Sequence, residues 1–267
     1  MKKKLLLLLF IPCFLGAQNT LSNAKDSLSK SSNNSTITSS SNDDDDDDDD
    51  DNFAATIFES IFQSIFIDFF GSLSLGVIIG EGLYTEFTPY PYFDGKSGEY
   101  TRVLNDKNKR TNIKLNANYF VNRVSGVEFN AVLKPVPLVG LELDYLTFNE
   151  KGLFTDESLS ITSINANYYR IRESSLSMWW GIGATYVGNE VDSWGVSYNF
   201  GADIYPVKPI SFHLGWKQSF INDNTVNVFK SQVKYHLKQT AFYTGYHNYK
   251  LGSEVISGLV LGVEVNF

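Results

Sequence analysis

The chain has 267 residues, a formal net charge of −8 at pH 7 and an aromatic content of 15%. Its acidity argues against a nucleic-acid partner, and a single cysteine, Cys13, excludes both an internal disulfide and a site built from several thiolates. The charge is unevenly spread, because Lys2–Lys4 contribute +3 and residues 18–52 contribute −8 (two lysines against ten aspartates). The chain from Phe53 onward therefore carries only about −3.

Residues 1–17 have the organisation of a secretory signal peptide. Lys2–Lys4 form a basic start, Leu5–Ile11 an apolar core, and Gly16–Ala17 supply small residues before the expected cleavage site. The apolar run is too short to anchor the chain in a bilayer. Cys13 lies in a poor lipoprotein signal, so its removal with the peptide is favoured over lipidation. We therefore predict that the protein is exported.

Residues 18–52 are rich in serine, asparagine and threonine and end in the aspartate run Asp43–Asp51. With so few apolar side chains, the segment cannot bury enough surface to offset the entropy of ordering it, and we predict that it is disordered. A calcium site is the alternative interpretation of the aspartates. A flexible row of carboxylates lacks the fixed oxygen ligands of a calcium loop, so a solvated linker is favoured.

Residues 53–70 repeat an apolar pair every four residues, which predicts one amphipathic helix. Gly71 follows where such a helix would end. Three interpretations of the aromatic face remain open: a helix in the membrane interface, a helix docked on the barrel, and a helix that binds a separate partner. The residues that would carry this membrane-interface or docking role are Phe58, Phe62, Phe66 and Phe69.

Residues 71–111 form an irregular segment rich in glycine, proline and aromatic residues. The stretch 87–93 concentrates aromatic rings around two prolines, which disfavour a central strand. An interfacial belt or a covering segment is the favoured interpretation, and an aromatic platform for a ligand is the alternative. Residues 94–111 are polar and are predicted to form a loop.

From residue 112 to the C-terminus, apolar and polar residues alternate in one segment after another, as in strands with one apolar face. The alternation is cleanest at 175–187 and 193–205. Short turns with proline alternate with longer polar connections, as in membrane barrels. We predict an all-β fold over 112–267: a single antiparallel up-and-down transmembrane barrel of about ten strands, in a range of roughly eight to twelve.

Two local features refine this prediction. The alternation slips near Ser163, which predicts a β-bulge there. Aromatic residues near strand ends predict interfacial girdles, and they are Tyr168, Tyr169, Tyr186, Trp194, Tyr205, Trp216 and Tyr249.

The final strand, residues 257–267, places Leu259, Leu261, Val263, Val265 and Phe267 on one face; the other face holds glycine and polar residues, with Val260 as the one apolar exception. This pattern resembles the closing strand of small Gram-negative outer-membrane β-barrels, in which the terminal phenylalanine acts as an assembly signal. The resemblance implies a bacterial outer-membrane location, contact with outer-membrane lipid and with the barrel-assembly machinery, and an assembly role for Phe267, Val265 and Val263.

Side chains opposite the apolar faces are expected to line the lumen, where a barrel of about ten strands leaves little free space. Acids and bases there are expected to neutralise one another as a polar plug, which predicts a structural or interaction role in the cell envelope. A narrow pore or small-ligand channel is the alternative, and a lipid-modifying enzyme is a third. The candidate lumen residues are Lys114, Glu128, Lys134, Glu142, Asp144, Asp203, His213, Lys217, Lys230, Lys234, His236 and Glu264.

The sequence offers no catalytic, cofactor-binding or metal-binding motif. The three histidines lack a zinc-binding spacing, and no serine–histidine pair has a convincing position at the outer rim. We therefore expect no enzymatic activity and no cofactor. An envelope protein reached through the helix or the loops is a further expected partner. An even strand count leaves both ends of the barrel chain on one side, so the linker and helix are expected to be periplasmic.

Overall fold

The structure is a computed structural model that describes residues 19–30, 85–151 and 156–267. The predicted signal peptide, the predicted helix at 53–70 and residues 71–84 lie outside the described residues. The elements are α1 (Thr20–Ser29), β1 (Glu86–Phe87), β2 (Tyr100–Thr101), β3 (Asn112–Val121), β4 (Ser125–Val136), β5 (Val139–Lys151), β6 (Asp156–Arg172), β7 (Leu176–Val187), β8 (Ser193–Val207), β9 (Ile210–Ile221), β10 (Asn224–Leu237), β11 (Thr240–Leu251) and β12 (Glu254–Asn266).

Strands β3 to β12 form one closed antiparallel barrel in which each strand pairs with its neighbour in sequence. The barrel closes between β12 and β3, where Val265 lies opposite Leu115 and Leu261 opposite Tyr119. Closure satisfies the backbone groups that an open edge would expose. The predicted up-and-down barrel over 112–267 is therefore confirmed, with ten strands.

The barrel has two ends, which we call the turn end and the loop end. The turn end contains Phe267 and the connections at 137–138, 173–175, 208–209 and 238–239. The loop end contains the connections at 122–124, 188–192, 222–223 and 252–253, together with Lys151 of β5 and Asp156 of β6. Helix α1 lies at the loop end, where it contacts β5, β6, β10, β11 and β12. The β1–β2 hairpin lies at the turn end, where the Gly98 amide donates to the Ser174 carbonyl over 2.6 Å.

The outer wall is apolar. On β12, for example, Val255, Leu259 and Leu261 are 55%, 65% and 64% exposed, while Glu264 and Asn266 point inward and are buried. On the described barrel strands, charged side chains reach the outer wall only near strand ends, at Lys151, Asp156, Arg170 and Lys250. A soluble protein rarely exposes a continuous apolar surface of this size, whereas a membrane barrel requires one.

Several local predictions are wrong. Residues 20–29, predicted to be disordered, form α1, and residues 100–101, predicted to be loop, form β2. The pairing of β5 with β6 is continuous through Ser163, and the irregularity lies instead between Tyr169 and Ile171.

The girdle prediction is also wrong for three residues. Tyr169, Tyr205 and Tyr249 are 2%, 4% and 0% exposed and lie in the interior. In the part of the chain that the structure describes, no helix is long and apolar enough to cross a membrane.

Candidate functional site: the barrel interior

The interior has three layers along the barrel axis. A central polar layer holds most of the ionisable residues that the sequence placed in the lumen. Eleven of the twelve line one cavity, and the twelfth, His236, is buried nearby at the turn end. The eleven are Lys114, Glu128, Lys134, Glu142, Asp144, Asp203, His213, Lys217, Lys230, Lys234 and Glu264.

Ion pairs cross the full width of the central layer. Lys230 on β10 reaches Asp144 on β5, the diametrically opposite strand, with 3.3 Å between Nζ and Oδ1. Lys114 on β3 reaches Asp203 on β8, again directly opposite, over 3.4 Å. Two side chains therefore suffice to bridge the lumen.

These pairs belong to a wider network. Asp144 also accepts Lys217 at 2.7 Å, and Lys230 also donates to Glu128 at 2.5 Å. Lys234 pairs with Glu264 at 2.5 Å. Removing one partner of such a buried pair leaves an uncompensated charge, which typically costs about 3–5 kcal/mol.

Glu142 differs from the other lumen carboxylates because it has no ion pair with a described residue. It accepts hydrogen bonds from the amides of Asn130 (3.0 Å), Asn167 (2.7 Å) and Asn199 (3.1 Å). The amide oxygens of Asn167 and Asn199 find no hydrogen-bond partner among the described residues. The central cavity has a volume of about 80 Å³, enough for a handful of waters that would satisfy such groups.

The turn-end layer is built by the β1–β2 hairpin, which inserts Glu99 between two lysines. Glu99 lies 3.1 Å from the Lys114 ammonium and 2.5 Å from the Lys134 ammonium, and all three side chains are buried. Lys134 also lies 4.0 Å from the centre of the Tyr169 ring, a cation–π contact. Phe87, Tyr100, Tyr169 and Trp179 form an aromatic core around this group.

Hydrogen bonds and close packing hold the hairpin in place. The Tyr92 hydroxyl donates to the Ile210 carbonyl, and burial raises the pKa of Tyr92 to about 12. A Cβ on Gly98 would lie 2.3 Å from the Tyr205 ring, so only glycine allows this approach. Asp94 accepts three hydrogen bonds from Lys96 and Ser97. Although burial opposes its charged form, these bonds lower its pKa. For the described part of 71–111, the covering-segment interpretation is therefore the one that the structure shows.

The loop-end layer is apolar and was missed by the sequence analysis. Phe120, Phe148, Leu159, Ile221, Tyr249 and Val260 point inward and are fully buried. We call this surface the apolar cup. Leu21, Ala24 and Leu28 of α1 join the same core cluster and are also fully buried. The sequence contains one indication of this helix: the three residues recur at i, i+3 and i+7, which places them on one face of a helix.

Barrel residues also satisfy both ends of α1. The Leu21 amide donates to Glu150 Oε2 over 2.8 Å, and a carboxylate at a helix N-terminus is favoured by the helix dipole. At the other end, the side-chain amides of Asn222 and Asn224 donate to the carbonyls of Leu28 and Ser27, each over 2.7 Å. Helix α1 is therefore fitted to this mouth of the barrel.

Lys25 fastens the helix to the rim. Its ammonium lies 2.6 Å from Glu157 and 3.3 Å from Glu190. Burial opposes its charged form, but the hydrogen bonds and negative charges of the two glutamates outweigh this and raise the pKa of Lys25. Helix α1 thus lies at the end of the barrel opposite Phe267. The predicted periplasmic location of the linker stays a prediction.

Among the residues that the structure describes, the interior does not assemble a recognisable catalytic group. Ser211 Oγ lies 2.7 Å from His236 Nε2, but both residues are buried, and His236 Nδ1 has no hydrogen-bond partner among the described residues. A serine–histidine pair needs a third group to orient the base. His213 is paired with Asp203 instead, at 2.7 Å. Within the described ranges, no cluster of three or more His, Cys, Asp or Glu residues could hold a metal ion.

The predicted docking helix cannot be placed, because Phe58, Phe62, Phe66 and Phe69 lie outside the described residues. The predicted assembly residues lie on β12 or directly after it: Val263 and Val265 face outward, and Phe267 exchanges backbone hydrogen bonds with Ile113.

Comparisons with known proteins find similarity at the level of structure alone. No protein-family profile matches the sequence, and no curated protein matches it. The N-terminal β-barrel domain of Pseudomonas aeruginosa OprF is 14% identical, with 59% of this chain and 96% of that chain covered and a TM-score of 0.29. The Yersinia pestis outer membrane protein Ail, in a phospholipid bilayer nanodisc, is 11% identical, with coverages of 59% and 98% and a TM-score of 0.34. The description of the barrel therefore rests on its own strand pairing.

Proposed function

We propose that the protein is a non-conducting outer-membrane β-barrel with a structural or interaction role in the cell envelope. The observation that carries this proposal is the pair of ion pairs that cross the lumen, Lys230–Asp144 and Lys114–Asp203. A solute path along the axis would have to break both. It would also have to displace α1 at one end and the hairpin at the other.

The apolar outer wall supports the membrane location. Strands of 10 to 17 residues are long enough to cross the apolar part of a bilayer, which takes about 9–11 residues per tilted strand. The C-terminal residues Val263, Val265 and Phe267 would carry the assembly signal. Replacement of Phe267 with alanine should then reduce the amount of folded barrel in outer-membrane fractions, whereas Asn122→Ala in a loop-end connection should not.

Planar-bilayer recording tests the closed lumen. The purified, heat-modifiable protein should give no stepwise current under conditions where a general porin conducts. Stepwise currents from the wild-type chain would overturn the proposal. If neutralising Lys230 and Lys234 also shifted those currents, the narrow-pore alternative would replace it.

We infer from the short, proline-containing turns at the turn end that this end is periplasmic and that the loop end faces outward. Thiol labelling on intact cells tests this orientation. The only cysteine of the sequence, Cys13, lies in the predicted signal peptide, so introduced cysteines report alone. Ser29→Cys, at the exposed end of α1, should react with a membrane-impermeant maleimide on intact cells. Gln239→Cys, exposed at the turn end, should react only after permeabilisation. The reverse pattern would contradict this orientation.

The interaction role would use surfaces outside the wall, namely the loop-end connections and residues 53–70. In-cell cross-linking of the full chain should then yield an envelope-protein adduct. Quadruple alanine replacement at Phe58, Phe62, Phe66 and Phe69 should abolish the adduct if the helix makes the contact. An unchanged adduct would indicate that the loop-end connections make the contact instead.

A further inference from the structure

The apolar cup at the loop end is unusual for a membrane barrel, whose lumen is ordinarily polar. Its side chains have no exposed surface, and they form one core cluster with Leu21, Ala24 and Leu28 of α1. An open mouth would leave this surface in contact with water. The cup therefore needs an apolar occupant, and in this structure α1 is that occupant.

Helix α1 shows which chemistry fits the mouth. It places the apolar groups of Leu21, Ala24 and Leu28 in the cup and holds one ammonium, that of Lys25, between Glu157 and Glu190 at the rim. Lys25 is only 5% exposed. An apolar body with a cationic head thus satisfies both the floor of the cup and its acidic rim.

Two further rim carboxylates contact the helix. Glu150 accepts the Leu21 amide over 2.8 Å, and Glu254 accepts the Asn23 side-chain amide over 3.2 Å. All four glutamates therefore accept a positively charged or hydrogen-donating group from α1. An anionic head group would meet the same four carboxylates.

Contacts with the barrel stabilise α1 much more than interactions within the helix do. It has ten residues, no side-chain hydrogen bond at its N-cap, no acidic residue in its first turn and no basic residue in its last. Isolated helices shorter than about 12–15 residues are marginal in water. A competitor for the cup therefore has to replace only docking contacts, because almost no internal helix stability opposes its release.

We propose that the apolar cup is a binding site for a single-chain cationic amphiphile, and that α1 occupies it as an intramolecular competitor. This proposal goes beyond the proposed function. It depends neither on a non-conducting lumen nor on the orientation of the barrel in the membrane. A ligand whose site is occupied for most of the time binds with an apparent affinity reduced by the unoccupied fraction. Release of α1 should therefore raise the affinity without creating any new contact.

The test uses the full-length mature chain in nanodiscs and three dansyl-labelled twelve-carbon probes with an ammonium, a hydroxyl or a sulfate head. Leu21→Asp/Leu28→Asp should undock α1 and bind the ammonium probe at least tenfold more tightly than wild type. Asp26→Asn, on the exposed face of the same helix, should behave as wild type. Empty nanodiscs supply the partition background.

Two further variants separate the floor from the rim. Leu159→Asn, added to the undocked variant, should abolish probe binding. Glu157→Gln/Glu190→Gln in the same background should weaken the ammonium probe several-fold and leave the hydroxyl probe unchanged. Heat-modifiable mobility in gels shows that each variant has folded.

Two results would overturn the proposal. One is an undocked variant that keeps heat-modifiable mobility and binds the ammonium probe no better than wild type does. The other is equal binding of the sulfate and ammonium probes. A conducting wild-type barrel would instead refute the proposed function and leave this inference standing.

Discussion

Glu99 is the residue whose loss should most weaken closure at the turn end. Its carboxylate is shared by Lys114 at 3.1 Å and Lys134 at 2.5 Å, and its side chain is 1% exposed. In the variant Glu99→Gln, Lys114 keeps Asp203, so the uncompensated charge falls on Lys134. Breaking a buried pair from one side costs about 3–5 kcal/mol. The nearby ring of Tyr169 offsets part of this, so we expect a loss of about 3 kcal/mol.

Equilibrium urea unfolding in lipid vesicles measures this loss. The double variant Glu99→Gln/Lys134→Met should recover most of it, since it removes the charge that was left behind. Glu173→Gln provides the matched control, because its pair with Arg102 is exposed (52% and 66%) and such pairs contribute about 0–1 kcal/mol. If Glu99→Gln unfolds within about 0.5 kcal/mol of wild type, or if the double variant is no more stable than the single one, the reasoning about this pair is refuted.

Three other predictions concern the wall, the helix and the hairpin. Leu261→Arg, on the outer wall, should destabilise the barrel by about 2–4 kcal/mol in bilayers. The control Val103→Arg, at an exposed position after the hairpin, should destabilise it by less than about 0.5 kcal/mol. Equal effects of the two variants would argue against a membrane-facing wall. Because the pKa of Lys25 is raised, its contribution to α1 docking is complete below the ordinary lysine pKa and is lost as pH rises through the raised value. The mobility of a spin label on Ser29→Cys should therefore increase at that pH in the wild-type background and not in Lys25→Arg, whose guanidinium stays charged; equal mobility changes in the two would contradict the role of Lys25. Because the pKa of Asp94 is lowered, its contribution to the free energy of unfolding is present above the ordinary aspartate pKa and is lost as pH falls through the lowered pKa. Asp94→Asn should therefore reduce the loss of stability at acidic pH that urea unfolding measures. An unchanged loss would contradict this prediction.

The barrel itself was predictable because its signal is local and repeated. Each strand alternates with a period of two, and the inward and outward faces differ strongly in polarity. The same alternation led to the twelve ionisable residues that the structure places inside the barrel. What alternation does not contain is which strands lie opposite each other. The pairs Lys230–Asp144 and Lys114–Asp203 become visible only once ten strands close.

Helix α1 was missed for a different physical reason. Its composition is polar, and the groups that complete its ends are Glu150, Asn222 and Asn224, all more than 100 residues away in sequence. Composition therefore predicted disorder for residues whose order depends on a distant partner. The spacing of Leu21, Ala24 and Leu28 was the one local signal, and it is too short a pattern to outweigh composition.

The layering of the interior has a consequence for how the barrel could open. The central layer is closed by buried ion pairs, which salt screens weakly. The loop end is closed by apolar contacts together with Lys25, which lies near the rim. The turn end is closed by an aromatic core around Glu99. Because the ion pairs of Lys25 at the loop end involve none of the residues that bridge the central layer, a ligand or pH change that releases α1 exposes the apolar cup and leaves the lumen blocked. A barrel of this construction can bind a molecule at its mouth without becoming a pore.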